Sequence, residues 1–211
     1  MKMGELEKSF VNGAKHSRQV SRHAENLLRC FGVEPGQGYL DVGCGNGAAP
    51  IHVARTFNLQ VPGIDVDPEQ IRLAEAASQG LAGARFLTVD GIQLPFEDEE
   101  FDIVATNKVM HHVSNWEHAV AEMLRVLKPG GYLIYSDFVY PRPIAALGRS
   151  LAGNRVGFPT RHTLDSLVGK KRLTPIRLSR SPIHYEGVFR KGEAWDTISH
   201  PPTSHPNTRA R

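Results

Sequence analysis

The chain has 211 residues, 40% of them apolar and 22% charged, with a formal net charge of +3. That length fits one domain with a sizeable core. The two cysteines, Cys30 and Cys44, exclude a disulfide framework and give no metal-ligand pattern, so no metal is expected. No run of eighteen apolar residues is present to cross a membrane, and MKMGELEKSF is too polar for a secretory signal, so a cytoplasmic location is expected.

The charge is unevenly spread. Residues 1–140 hold 12 Lys+Arg against 18 Asp+Glu, whereas residues 141–211 hold 13 against 4. A basic end of that kind faces an acidic small molecule, RNA or an anionic membrane surface, or is simply a solvated flank.

In chain order, residues 1–34 read as helical, with Val20, Ala24, Leu27 and Leu28 on one face and Gly32 ending the run. Pro35-Gly36 marks a turn, Tyr39–Val42 is a short apolar strand, and the glycines after it open a helix to about Asn58. VPGIDVD (61–67) is a second strand, and Pro68 suits the first turn of the next helix, through Ser78. ARFLTVD (84–90) and DIVATN (102–107) are a third and fourth strand. NWEHAVAEMLRVL (115–127) is a helix with Asn115 as N-cap, and Lys128-Pro-Gly-Gly131 stops it before a fifth strand, YLIYSDFV. Strands alternating with helices imply an α/β fold with a mostly parallel sheet covered on both faces.

Beyond Tyr140 the texture changes. PRPIAALGRSLAGNRVGFP is punctuated by Pro and Gly and holds one short helix, with Ile144, Leu147 and Leu151 aligned. Thr160 can cap a further helix over 161–169, and RLTPIRLSR and IHYEGVFRK read as a β-hairpin. The tail from 191 to 211 lacks periodicity, holds few large apolar residues and is expected to be disordered.

The chemistry centres on YLDVGCGNGAAP, where Gly43, Gly45 and Gly47 fall at every second position. With Ala48 this also spells a dinucleotide fingerprint, G-x-G-x-x-A, and Asp65 lies 22 residues past the first glycine, where a carboxylate can take ribose hydroxyls. A strand turning sharply into a helix lets an adenosine ligand approach the backbone on either reading. Asp41 separates the two: a carboxylate two residues before Gly43 would repel a pyrophosphate but attract an ammonium or sulfonium. Asp90, ending the third strand, can accept from an adenine amine. A hydride-transfer enzyme would also need a substrate domain that the remaining residues do not supply.

YLDVGCGNG, GIDVD, VDGIQLPFEDEEFDIV, MHHV and LRVLKPGGYLIYSD together resemble the class I S-adenosylmethionine-dependent methyltransferases, and within them the small-molecule branch that includes quinone-biosynthesis enzymes. The likeness spans roughly 15–190. It implies a Rossmann-like, doubly wound seven-stranded sheet, mostly parallel with a C-terminal antiparallel hairpin at 171–190. One domain over 1–190 follows, with 1–34 as an N-terminal helical segment and 141–159 as a lid. The cofactor implied is S-adenosyl-L-methionine. The resemblance places Asp41 near the methionine ammonium and passes Gly43 and Gly45 under the amino-acid moiety. It gives the ribose hydroxyls to Asp65, the adenine amine to Asp90 and a ring nitrogen to the Gly91 or Ile92 N–H. Asn107 offers its carbonyl to the ammonium.

For the acceptor, His111 and His112 stand where a general base could act or where they only tie the loop down, with Asp137 and Tyr140 as weaker candidates. The segment Asn107-Lys-Val-Met lacks the Pro-Pro-aromatic signature of exocyclic-amine methylators, and no Pro-Cys nucleophile follows the fourth strand. A small organic acceptor remains, with Arg142, Arg149 and Arg155 able to pair with an anionic one. No DNA partner is expected. An RNA-modifying enzyme and a non-catalytic S-adenosylmethionine-binding protein are the alternatives.

Overall fold

The computed structural model describes residues 12–152 and 156–193. The expectations for residues 1–11 and for most of the tail lie outside the described residues, as does Arg155.

Helix α1 spans Ala14–Leu28 and buries Leu27 and Leu28. It stops four residues before Gly32, because the Arg29, Cys30 and Phe31 N–H groups turn back onto the carbonyls of Glu25, Leu27 and Leu28. There follow β1 (Tyr39–Val42), α2 (Ala48–Phe57), β2 (Val61–Asp65), α3 (Pro68–Ala77), β3 (Ala84–Thr88) and β4 (Phe101–Asn107). After a single 3₁₀ turn at Met110–His112 come α4 (Trp116–Val126), β5 (Leu127–Phe138), α5 (Arg142–Ala152), α6 (Arg161–Lys170), β6 (Leu173–Arg180) and β7 (His184–Lys191).

The caps explain several boundaries. Asp67 accepts from the Glu69 N–H to start α3 with Pro68 in its first turn, and Thr160 accepts from the Thr163 N–H to start α6. Asn115 occupies the N-cap of α4 as expected, but without a side-chain capping bond; its carbonyl takes the His118 and Ala119 N–H groups instead. The Lys128–Gly131 run ends α4 yet does not delay the strand. Leu127 already pairs with Phe101, and the Pro-Gly-Gly stretch is absorbed as an irregularity in register before Ile103 meets Tyr132.

The seven strands form one sheet in the order β3-β2-β1-β4-β5-β7-β6. The first five are parallel, and β7 runs antiparallel between β5 and β6, so the C-terminal hairpin closes one side. Side chains alternating along each strand feed two cores. Leu40, Val42 and Leu133 meet α4 and α6 on one face, and Tyr39, Ile103 and Ile134 meet α1 and α2 on the other. That is the doubly wound layering of an α/β fold. Its carboxyl edge carries Val42, Asp65, Thr88, Asn107 and Phe138, and there the chain turns back into helices and loops. Among the described residues no helix is long and apolar enough to cross a membrane.

Candidate active site

A cavity of about 400 Å³ opens at the carboxyl edge of the sheet. Ten of the residues singled out from sequence line it: Asp41, Gly43, Gly45, Asp65, Asp90, Gly91, Ile92, Asn107, His111 and His112. Asp137 and Tyr140 do not line it, nor do Arg142 and Arg149.

The three glycines of the β1–α2 turn all have positive φ, but they serve different ends. A Cβ on Gly43 would fall 2.2 Å from Val109 Cγ2, and one on Gly47 would fall 2.7 Å from Ala74 Cβ and 3.1 Å from Ala74 Cα. These two glycines let the turn pack against its neighbours. At Gly45 the nearest atom is Gln70 Oε1 at 3.8 Å, so the space above that peptide is open to the cavity. Helix α1 clips the same turn from outside, where Ser21 Oγ donates to the Ala48 carbonyl and Asn46 Nδ2 reaches Ser17 Oγ. It also brings His16 and Val20 to the cavity wall. His16 carried no local signal and Val20 read only as part of the helix's apolar face, because only the tertiary docking of α1 puts them there. Burial, and then the Lys108 charge, hold the His16 imidazole below its ordinary pKa.

Two carboxylates dominate the electrostatics. Asp41 is 6% exposed, and burial followed by the nearby Asp65 charge pushes its carboxyl up to about 7. Asp65 is raised as well, by burial first, although the Gly45 and Asp67 N–H groups donate to its two oxygens at 2.9 Å each. Asn107 adds an acceptor, its buried Oδ1, which has no hydrogen-bond partner among the described residues. Two desolvated acids and an orphaned carbonyl oxygen around one cavity favour a cationic ligand. Asp90 folds back on its own backbone, accepting from the Ile92 N–H at 3.2 Å. Val66, 44% exposed just past the end of β2, and Val89 add apolar wall that sequence reading passed over.

The opposite wall is built from the 3₁₀ turn and the end of β5. Asp137, fully buried, accepts from His111 Nδ1 at 2.6 Å, from the His111 N–H at 3.1 Å and from the Phe138 N–H at 2.6 Å. An ionised Asp137 requires Nδ1 to be the protonated nitrogen, which gives Nε2 of the neutral ring its lone pair. The His112 ring lies 4.0 Å from that of His111, and its backbone N–H donates to the Val109 carbonyl. Lys108, itself at φ +56°, places its ammonium 5.7 Å from the centre of the Phe138 ring.

The fold is the Rossmann-like one of the solved methyltransferases it is similar to, and the cavity lies at the carboxyl edge of the sheet. Residues 40–135 match the family model described as a methyltransferase domain, which together with the fold supports a class I S-adenosylmethionine-dependent methyltransferase. Among relatives, phthiotriol/phenolphthiotriol dimycocerosates methyltransferase 1 of Mycobacterium ulcerans is 36% identical over 120 residues, covering 56% of this chain and 44% of that protein. Demethylmenaquinone methyltransferase of Tropheryma whipplei is 36% identical over 118 residues, covering 56% of this chain and 48% of that one. The chain thus spans less than half the length of either relative. In fold it is similar to a geranyl diphosphate methyltransferase solved in complex with S-adenosylmethionine, with a TM-score of 0.67 and 16% identity over 87% of this chain and 92% of that one.

Proposed function

We propose that the chain transfers a methyl group from S-adenosylmethionine to a small organic acceptor by in-line displacement. The observation that carries this reading is the pair Asp41 and Asp65, both desolvated, beside the unpartnered Oδ1 of Asn107. A cation bearing a ribose satisfies all three, and a pyrophosphate satisfies none. The solved relative with S-adenosylmethionine bound supports the choice of donor.

On this reading Asp65 takes the ribose hydroxyls, and Asp41 and Asn107 face the amino-acid ammonium. Gly45 lets that moiety lie against the backbone, and Asp90 takes the adenine amine. The Ile92 N–H is held by Asp90, so the Gly91 N–H is the donor toward the ring. The bound donor supplies an electrophilic methyl on a positively charged sulfur. The protein's part is to hold the acceptor in line and exclude water, with α1 and the His111 turn as the two walls. Where the acceptor must lose a proton, His111 Nε2 receives it as the new bond to carbon forms. Asp137 keeps the ring in the right tautomer and stabilises the imidazolium. His112 shapes the turn.

Calorimetric titration tests the donor: S-adenosylmethionine and its demethylated product bind, and NAD does not. Binding of NAD with none of the sulfonium would overturn the reading. Labelled donor incubated with fractionated cell extract then identifies the pool that takes the methyl group.

A further inference from the structure

Of the eight large apolar side chains exposed among the described residues, five lie at the end of β5, in the β6–β7 turn and on α5. Phe138 (38% exposed) ends β5, and Ile183 (64%) sits in the β6–β7 turn directly beside it, its carbonyl accepting from the Val139 N–H. Helix α5 follows at once. It packs through Ala145, which is fully buried, and through Gly148, where a Cβ would fall 2.3 Å from the Phe158 ring. Its long apolar side chains point the other way: Ile144 is 55%, Leu147 60% and Leu151 79% exposed. At positions i, i+3 and i+7 they make one stripe.

That stripe is tied to the cavity mouth. Phe158 beneath α5 stacks edge-on against Tyr140, and the Tyr140 N–H donates to the Pro159 carbonyl. Gly157 donates to the His111 carbonyl and lies too close to the Met110 and Val113 carbonyls to carry a side chain. The helix therefore rides on a segment that rests on the His111 turn. Cations also stand at this end. Lys108, Arg142, Arg149 and Arg161 are all set at the carboxyl edge or on the elements that start there, and none of the four forms an ion pair with a carboxylate among the described residues. Residues 141–211 as a whole carry 13 Lys+Arg against 4 Asp+Glu.

An apolar stripe accompanied by cations that no described carboxylate neutralises has the make-up of a helix that lies in a membrane interface, with its side chains among the acyl chains and its charges at acidic headgroups. We infer that α5, with Phe138 and Ile183, seats the mouth of the cavity on an anionic lipid surface. The acceptor then enters from the bilayer rather than from water; this last step rests on the methyl-transfer reading above. The charge of the patch selects the occupant. A second copy of the chain would set these cations against their own kind, while an acidic bilayer complements them.

The test uses the full chain and two kinds of vesicle: phosphatidylcholine alone, and phosphatidylcholine mixed in equal parts with phosphatidylglycerol. The chain should float with the mixed vesicles, weakly or not at all with the neutral ones, and lose binding as salt rises. Leu147→Glu/Leu151→Glu, at two exposed positions where the fold has nothing to lose, should lower partitioning by more than about tenfold. Its calorimetric affinity for S-adenosylmethionine should be unchanged. Arg142→Glu/Arg149→Glu should lower partitioning on the mixed vesicles. No flotation of the wild type, or flotation indifferent to both double variants, overturns the inference. So does light scattering that shows a dimer dissolved by the leucine variant, which would make the stripe a contact between copies. Donor binding is read separately, so loss of the methyl-transfer reading and loss of this one are distinguishable.

Discussion

The two walls of the cavity are made in opposite ways. The wall at β1 and β2 is mostly backbone: three glycines at positive φ, a carboxylate holding two N–H groups, and a turn clipped by α1. The wall at β4 and β5 is mostly side chain: a histidine fixed by an aspartate 26 residues away, an aromatic ring and a lysine. A backbone-built site binds what every member of a family shares, since it varies little when side chains change. A side-chain-built site is free to change with the acceptor. The comparison predicts that damage to the first wall appears as lost donor affinity or stability, and damage to the second as lost turnover.

The largest effect should come from His111. His111→Ala is expected to lose roughly 10²–10⁴-fold in turnover with donor affinity nearly unchanged, and the pH dependence of the wild-type rate should vanish. Asp137→Asn should lose rate too, because the amide cannot hold Nδ1–H as a carboxylate does. A variant that keeps the wild-type pH profile would move His111 to a purely structural role. His112→Ala, in contrast, should keep the profile.

Asp65→Ala comes next, with donor affinity falling by about tenfold or more as ribose bonds and the bracing of Gly45 go together. Calorimetry measures it, and an unchanged dissociation constant would put the ribose elsewhere. The glycines give a smaller, more discriminating pair. Gly47→Ala should cost about 1–3 kcal/mol more thermal stability than Gly45→Ala, because its Cβ meets helix backbone whereas the other meets open space. Equal losses would contradict the division of labour between packing and ligand approach.

The smallest effect is a pH dependence. Asp41, raised to about 7, is largely protonated below that value in the free protein, and a cationic donor prefers its carboxylate. Donor affinity should therefore weaken modestly as pH falls below 7, with proton release on binding near neutrality, measurable by calorimetry in buffers of different ionisation enthalpy. The folded carboxyl keeps its proton at pH values where the unfolded chain has lost it. The same group therefore favours the folded state at low pH and withdraws that support as pH rises from the usual carboxylate range through 7.

The contrast between the walls also explains what could be read from sequence. Gly43, Gly45, Gly47 and Asp65 were legible because turn chemistry is local: the residue type declares the backbone conformation. Strand and helix periodicity gave β1 to β5 and the hairpin for the same reason. The His111–Asp137 pair was visible only as two separate candidates, since the register Asn107↔Ser136 that brings their segments together is a property of the sheet. His16 and Val20 reach the cavity through the docking of α1, and the aligned Ile144, Leu147 and Leu151 read first as a face packed on the sheet edge. Periodicity says that a face is apolar and not whether anything covers it.

Placing β7 between β5 and β6 has a consequence for synthesis. A chain that has emerged from the ribosome only through Arg180 holds β5 with an unpaired edge, rich in Leu133, Ile134 and Tyr135, and β6 has no neighbour to pair with. The sheet closes only when the strand made last slides into an interior position, burying Tyr185, Val188 and Phe189. Until then the nascent chain exposes a template for strand pairing with other chains. Completion of β7 is thus the step at which the folding chain exchanges a tendency to aggregate for a protected edge, where Pro175 interrupts the outer strand and blunts further pairing.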